Sequence, residues 1–287
     1  MLFTVGYAQQ RKIHQGEIKM ADISTKAITC DSGLPAFIAI PADTSRPLPA
    51  IVIMHERYGL VQHTLDLAAR FAREGFVCIA PDCFFRHPDQ DALHAGDDRY
   101  DITDDEAAEH LSTAIDVLEA MDEVDNDCIA VKGVCQTGRH PLIVASRRKV
   151  AAALVWYGAA QDREWETNDL YHEPLADVIA KVDCPVLGMF GEADHMISLT
   201  HIRRFRNCLE EKGKSHSVHV FPGAPHGWLN DTMPGRYRRD QAEAAWKVQK
   251  DFLLEVLSPA FDRNSIISRF DCVSSKDYDF SKNTRQE

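Results

Sequence analysis

The chain has 287 residues, is 45% hydrophobic and 26% charged, and carries 32 Lys and Arg against 44 Asp and Glu, a formal net charge of −12. That composition fills one sizeable core and excludes collagen-like, disordered and membrane-bundle chains. The acidic balance argues against nucleic acid or an anionic membrane as partner, since either needs a basic surface, and leaves a small-molecule task as the expectation.

Residues 1–24 are polar and aperiodic and read as an N-terminal extension outside the domain. No apolar run approaches the roughly 18 residues of a membrane span, and no signal-peptide layout opens the chain, so the cytoplasm is the expected compartment. The domain is expected over 25–258. From about Lys26 two short β-like runs end at Phe37–Ile40. Pro49–His55 (PAIVIMH) is a continuous apolar run, as in a strand buried on both faces. A helical pattern follows over Leu60–Glu74, stopped by Gly75, and then a second buried strand, Phe76–Pro81.

The stretch His87–Asp105 is acidic and loop-like, without the carboxylate spacing of a calcium loop. Beyond it, helices are predicted over Asp105–Asp122, Gln136–Arg147, Leu199–Lys212 and Arg239–Leu257. Strands are predicted over Cys128–Val134, Ala151–Tyr157, Val186–Phe190 and Ser217–Phe221. Strand and helix in alternation imply an α/β fold, a mostly parallel central sheet with helices on both faces. Residues 259–287 turn polar and read as a C-terminal tail. The eight cysteines form no CxxC pair and the 13 histidines no ligand spacing, so no metal site is expected.

Chemistry is expected where strands end. Gly133-Val134-Cys135-Gln136-Thr137-Gly138 runs from strand to helix, the context of a nucleophile elbow, with Thr137 where Gly is usual. Asp194 follows the strand Val186–Phe190, and His226 follows Ser217–Phe221. Cys135, Asp194 and His226 thus end three strands in the order nucleophile, acid, base, the order used by α/β-hydrolases, and a parallel sheet brings such strand ends to one edge. His55-Glu56 is not a metalloprotease helix motif, because Gly59 stands where the second His would be. That loop instead occupies the place that supplies one backbone N–H of an oxyanion hole. Arg57 and Gln136 are the expected donors.

Together these segments resemble the dienelactone hydrolase (carboxymethylenebutenolidase) family over roughly residues 27–257. The pieces that carry the resemblance are MHERYGL, FVCIAPDCFFR, GVCQTG, WYG, FGEADHMI and PGAPHGW. It implies an α/β-hydrolase fold, no cofactor, and a small lactone or ester as the partner. Cys135 would attack the carbonyl, His226 would shuttle the proton and Asp194 would orient the imidazole. Glu56 would hydrogen-bond the resting thiol, Arg86 would clamp a substrate carboxylate, and Tyr157 and Trp228 would line the pocket. The second clamp arginine implied four residues after the base is Asn230, with Arg236 a candidate replacement. The terminal extensions lie outside the family core and are candidates for a homodimer contact or a lid. Two other classes stay open: a general carboxylesterase or thioesterase of the same fold, and a catalytically idle ligand-binding relative in which Thr137 and Arg139 crowd the elbow.

Overall fold

The computed structural model describes residues 23–273. The expected N-terminal extension therefore lies outside the described residues, except that Ile23 and Ser24 already belong to the first strand. The strands are β1 (Ile23–Thr29), β2 (Pro35–Pro41), β3 (Leu48–Ile53), β4 (Val77–Pro81), β5 (Val124–Val134), β6 (Ala152–Trp156), β7 (Val186–Gly191), β8 (His216–Phe221) and β9 (Ser268–Cys272). The helices are α1 (Gln62–Arg73), α2 (Gln90–Ala95), α3 (Asp104–Glu119), α4 (His140–Ala145), α5 (Leu175–Lys181), α6 (Leu199–Glu211) and α7 (Arg239–Val256).

One sheet runs β1-β2-β4-β3-β5-β6-β7-β8-β9. The strands from β4 to β9 in that order are parallel, and β2 and β1 close one edge antiparallel. The continuous apolar runs have a direct cause in this arrangement. Along β3, Ala50 and Val52 pack with α3 to α6 on one face, whereas Ile51 and Ile53 pack with α1 and α7 on the other. Residues 153 and 155 of β6 divide from 152, 154 and 156 in the same way. Both faces are core, so the polar alternation of a half-exposed strand is missing.

Four features depart from the predicted elements. The expected loop 87–105 contains α2, whose first turn is capped by Asp89 accepting from the Ala92 N–H at 2.9 Å. The helix expected at Gln136–Arg147 is split into a 3-10 turn, Cys135–Thr137, and α4, because the left-handed Cys135 and Pro141 interrupt a continuous α-helix. Helix α5 was not predicted. Finally, the stretch read as a polar tail contributes β9, which pairs in parallel with β8, while Arg269 makes a bidentate ion pair with Glu255 of α7. No helix among the described residues is long and apolar enough to cross a membrane.

Candidate active site

The site is built at the carboxyl ends of β3, β5, β6, β7 and β8. Cys135 leaves β5 with φ +57°, a left-handed conformation that a side chain adopts at a cost of about 1–3 kcal/mol. The backbone folds so tightly beneath it that a Cβ on Gly133 would run into the Thr137 carbonyl and Pro141. A Cβ on Gly158 would come within 2.6 Å of the Cys135 carbonyl. The glycines are therefore required by close approach. Thr137 is buried, and its hydroxyl lies 2.9 Å from the His55 and Val134 carbonyls and accepts from the Val134 N–H at 3.0 Å. It ties the turn to the end of β3 and does not crowd the nucleophile position.

The Cys135 Sγ lies 3.0 Å from Nε2 of His226, and Nδ1 of that ring lies 2.8 Å from Asp194 Oδ2. Asp194 is held in turn by the N–H groups of Met196 and Ile197, which donate to Oδ1 at 2.7 and 3.0 Å. An acceptor-only carboxylate obliges Nδ1 to carry a proton and directs Nε2 to the sulfur. Burial works to lower the His226 pKa, but the Asp194 and Cys135 charges and hydrogen bonds outweigh it and hold the imidazole well above its ordinary value.

Glu56 is buried beneath this chain of groups. Its Oε1 accepts from the Tyr157 hydroxyl at 3.0 Å and its Oε2 from Asn230 Nδ2 at 2.6 Å. Burial, then the Glu56 charge, raise the Tyr157 phenol well above its ordinary range, so it remains a donor. The thiol contact implied for Glu56 is thus not the arrangement seen: both carboxylate oxygens are engaged elsewhere, and the sulfur is on His226. Tyr157 itself has φ +35° and presents its ring edge-on to His226 at 5.2 Å.

A cavity of about 340 Å³ opens over Cys135, within the size range of small-molecule sites. Glu56, Arg57, Gln136, Tyr157 and His226 line it, together with residues that the sequence reading did not single out, among them Arg99, Arg163, Glu164 and His195. The Arg57 side chain donates to the carbonyls of Gly96 and Asp98, and Gln136 Nε2 donates to the Tyr100 carbonyl and Asp101. Arg99 forks onto Asp101 at 2.7 and 2.8 Å. The acidic segment thus keeps Asp89, Asp91, Asp97, Asp98 and Asp101 exposed, brings Arg99 to the cavity and is fastened to the side chains of both expected oxyanion donors.

Three expected residues stand elsewhere or act differently. Arg86 is exposed, its guanidinium 4.9 Å from the Phe85 ring centroid, and does not line the cavity; Arg236 does. Trp228 is fully buried beneath the base loop, stacked on Trp156 at 5.5 Å, and is a core residue. Arg139 turns away from the elbow into a buried bidentate pair with Asp104 at 2.9 and 3.0 Å. Arg99, Arg163 and Glu164 gave no signal in the sequence because each sits in a short mixed-charge run, 97–101 or 162–166, with no motif, and tertiary packing alone brings those segments to the cavity. No group of His, Cys, Asp and Glu among the described residues could hold a metal ion.

The parallel sheet, the strained turn after its central strand and the loops that converge on it make this chain an α/β-hydrolase in fold. It belongs to the dienelactone hydrolase family, whose sequence profile matches residues 34–257. It is 28% identical over 228 residues to a protein of Methylorubrum extorquens provisionally named a carboxymethylenebutenolidase, covering 77% of each chain. It is 25% identical over 216 residues to a Bradyrhizobium protein provisionally named 2-oxo-3-(5-oxofuran-2-ylidene)propanoate lactonase, covering 74% of this chain and 85% of that one. A crystal structure of a provisionally named dienelactone hydrolase from Klebsiella pneumoniae superposes with a TM-score of 0.72 at 23% identity, over 81% of this chain and 98% of that one.

Proposed function

We propose that this chain hydrolyses a small, carboxylate-bearing lactone or ester through a thioester on Cys135. The observation that carries the reading is the hydrogen-bonded line from Cys135 Sγ through His226 to Asp194, 3.0 and then 2.8 Å, beneath the cavity. With the thiol proton held on His226, sulfur bonds to the carbonyl carbon as thiolate, and the backbone N–H groups of Arg57 and Gln136 receive the developing oxyanion. The tetrahedral adduct collapses, the ester C–O bond breaks, and His226 returns the proton to the leaving oxygen. Water, deprotonated by the same imidazole, then attacks the thioester and releases the acid and the thiol.

Glu56 serves as a positioning residue, its charge fixed between Tyr157 and Asn230. The carboxylate preference is supported by Arg163 and Arg236 at the cavity, beside an Arg99 already paired with Asp101, since guanidinium groups orient carboxylates bidentately. The lactone in the name of the Bradyrhizobium relative also carries a carboxylate. The test is the ultraviolet decay of dienelactone, a neutral aryl ester and an acyl thioester with wild type and Cys135→Ala. Rapid loss of dienelactone that vanishes in the variant is the expected result. Turnover of the neutral ester or thioester alone would keep the nucleophile and discard the carboxylate preference, and turnover that survives Cys135→Ala would discard the nucleophile.

A further inference from the structure

Glu164 has no part in the chemistry above, yet it lines the same cavity as Cys135. It lies in the 3-10 turn Asp162–Trp165 beyond β6 and is only 4% exposed. Its Oε2 is buried without a hydrogen-bond partner among the described residues. A buried, unpaired carboxylate is an unfavourable thing to keep ionised, and such a group takes up a proton instead.

The groups that face it offset the cost of its burial only in part. Arg139, at the start of α4, donates to the Glu164 backbone carbonyl at 3.1 Å, but its guanidinium is committed bidentately to Asp104 of α3 and to the Glu173 carbonyl. Tyr171, from the loop before α5, is a phenol pushed up to about 12, chiefly by burial. Arg163 is on the same turn and is itself exposed. Burial pushes the Glu164 carboxyl up to about 7; Arg139 and Arg163 draw it down, and Asp104 pushes it up again.

We propose that Glu164 is a specificity-determining residue that recognises a ligand carboxylate in its protonated form, its O–H donating to one carboxylate oxygen in the cavity that Arg99, Arg163 and Arg236 also line. The inference rests on reading this cavity as the substrate site. Its consequence is linkage: each bound anion fixes one proton on Glu164, and the proton comes from solvent. Above the pKa of the free group, anion affinity falls by about tenfold per pH unit, because the proton must be supplied at binding. Neutral ligands escape this dependence. The carboxyl is thus a discriminator that favours anions in mildly acidic solution and disfavours them in alkaline solution.

The experiment avoids turnover. Iodoacetamide alkylates Cys135, the modified peptide is followed by mass spectrometry, and benzoate or benzamide is added as protectant between about pH 5.5 and 8.5, a range that brackets the transition. At each pH the ratio of rates with and without protectant yields a Kd free of the pH dependence of alkylation itself. Expected for wild type is a benzoate Kd that rises about tenfold per unit above roughly pH 7 and a level benzamide Kd. Glu164→Gln, which keeps the shape and a permanent donor, should make the benzoate profile level; thermal melting confirms that the variant is folded.

A Glu164→Gln profile that retains the wild-type slope overturns the proposal, as does a level wild-type benzoate profile or an absence of benzoate protection at every pH. Hydrolysis is assayed separately with the esters and lactone above. A chain that turns over none of them but shows the Glu164-dependent slope would sink the hydrolase reading and keep this one. Normal turnover with a slope indifferent to Glu164 would do the reverse.

Discussion

Asn230 donates to Glu56 across 174 residues of chain at 2.6 Å, and its orientation is not free. The Asn230 Oδ1 accepts from both the N–H and the hydroxyl of Thr232, at 3.0 and 2.6 Å, so the amide nitrogen must face the carboxylate. A neutral amide thus stands against Glu56 where the family resemblance had implied an arginine.

Removing that donor should be costly. Asn230→Leu leaves Glu56 Oε2 buried and unmet, and a hydrogen bond to a charged group contributes about 1.5–3 kcal/mol. Urea unfolding of the variant should show a loss of that size with an unchanged slope. In Asn230→Asp, two carboxylates face each other, and folding must fix a proton between them. Folded-state affinity for that proton exceeds the unfolded chain's, so the deficit should shrink as pH falls from 7 toward about 5. A deficit independent of pH would argue against direct opposition of the two groups.

Lys132 offers a second test, outside the reaction. It is fully buried on β5, three residues before Cys135, with its Nζ 3.9 Å from the Trp156 ring centroid and no hydrogen-bond partner among the described residues. Burial depresses its pKa well below 10.5. Between the depressed folded value and 10.5, the unfolded chain holds the proton that the folded chain lacks, so wild-type stability rises with pH over that interval. Lys132→Met, of similar volume, should gain about 1–3 kcal/mol at neutral pH by removing an unmet buried polar group. The gain should diminish as pH is raised, as read from urea midpoints. A destabilised Met variant would show that the ammonium over the Trp156 ring is net favourable.

The arginines separate two clamp assignments. Arg236→Ala should raise KM for an anionic ester about tenfold or more with little change for a neutral one, on the scale of one charge-assisted hydrogen bond. Arg86→Ala should leave both unchanged, since Arg86 lies over Phe85 and away from the cavity lining. Steady-state kinetics with the paired esters decides, and the opposite pattern would return the clamp to Arg86.

Strands buried on both faces announce themselves as unbroken runs such as AAALVWY, and the turns that follow them carry Cys135, Asp194 and His226; this much of the fold and site was readable from the chain alone. What escaped was set by tertiary paths. Ser-Arg-Phe-Asp-Cys is an exposed edge strand with no apolar periodicity, so nothing local marks it as β9. Arg86 sits in a family-like run, yet its side chain stacks outward on Phe85, and the guanidinium groups at the cavity come from Arg99, Arg163 and Arg236 in loops without pattern. Arg139 looked like an obstruction because its sequence neighbours are the elbow, whereas its partner Asp104 is 35 residues away.

The pairing of β9 with β8 also bears on the order in which the molecule is made. The strand that delivers the His226 loop gains its outer neighbour only when residues 268–272 have been synthesised, about forty positions after the histidine itself. Until then a nascent chain exposes β8 as a row of unpaired amides and carbonyls, the kind of open template on which other chains assemble. A gene shortened before Ser268 would retain every residue assigned to the reaction and still yield protein prone to edge-to-edge association.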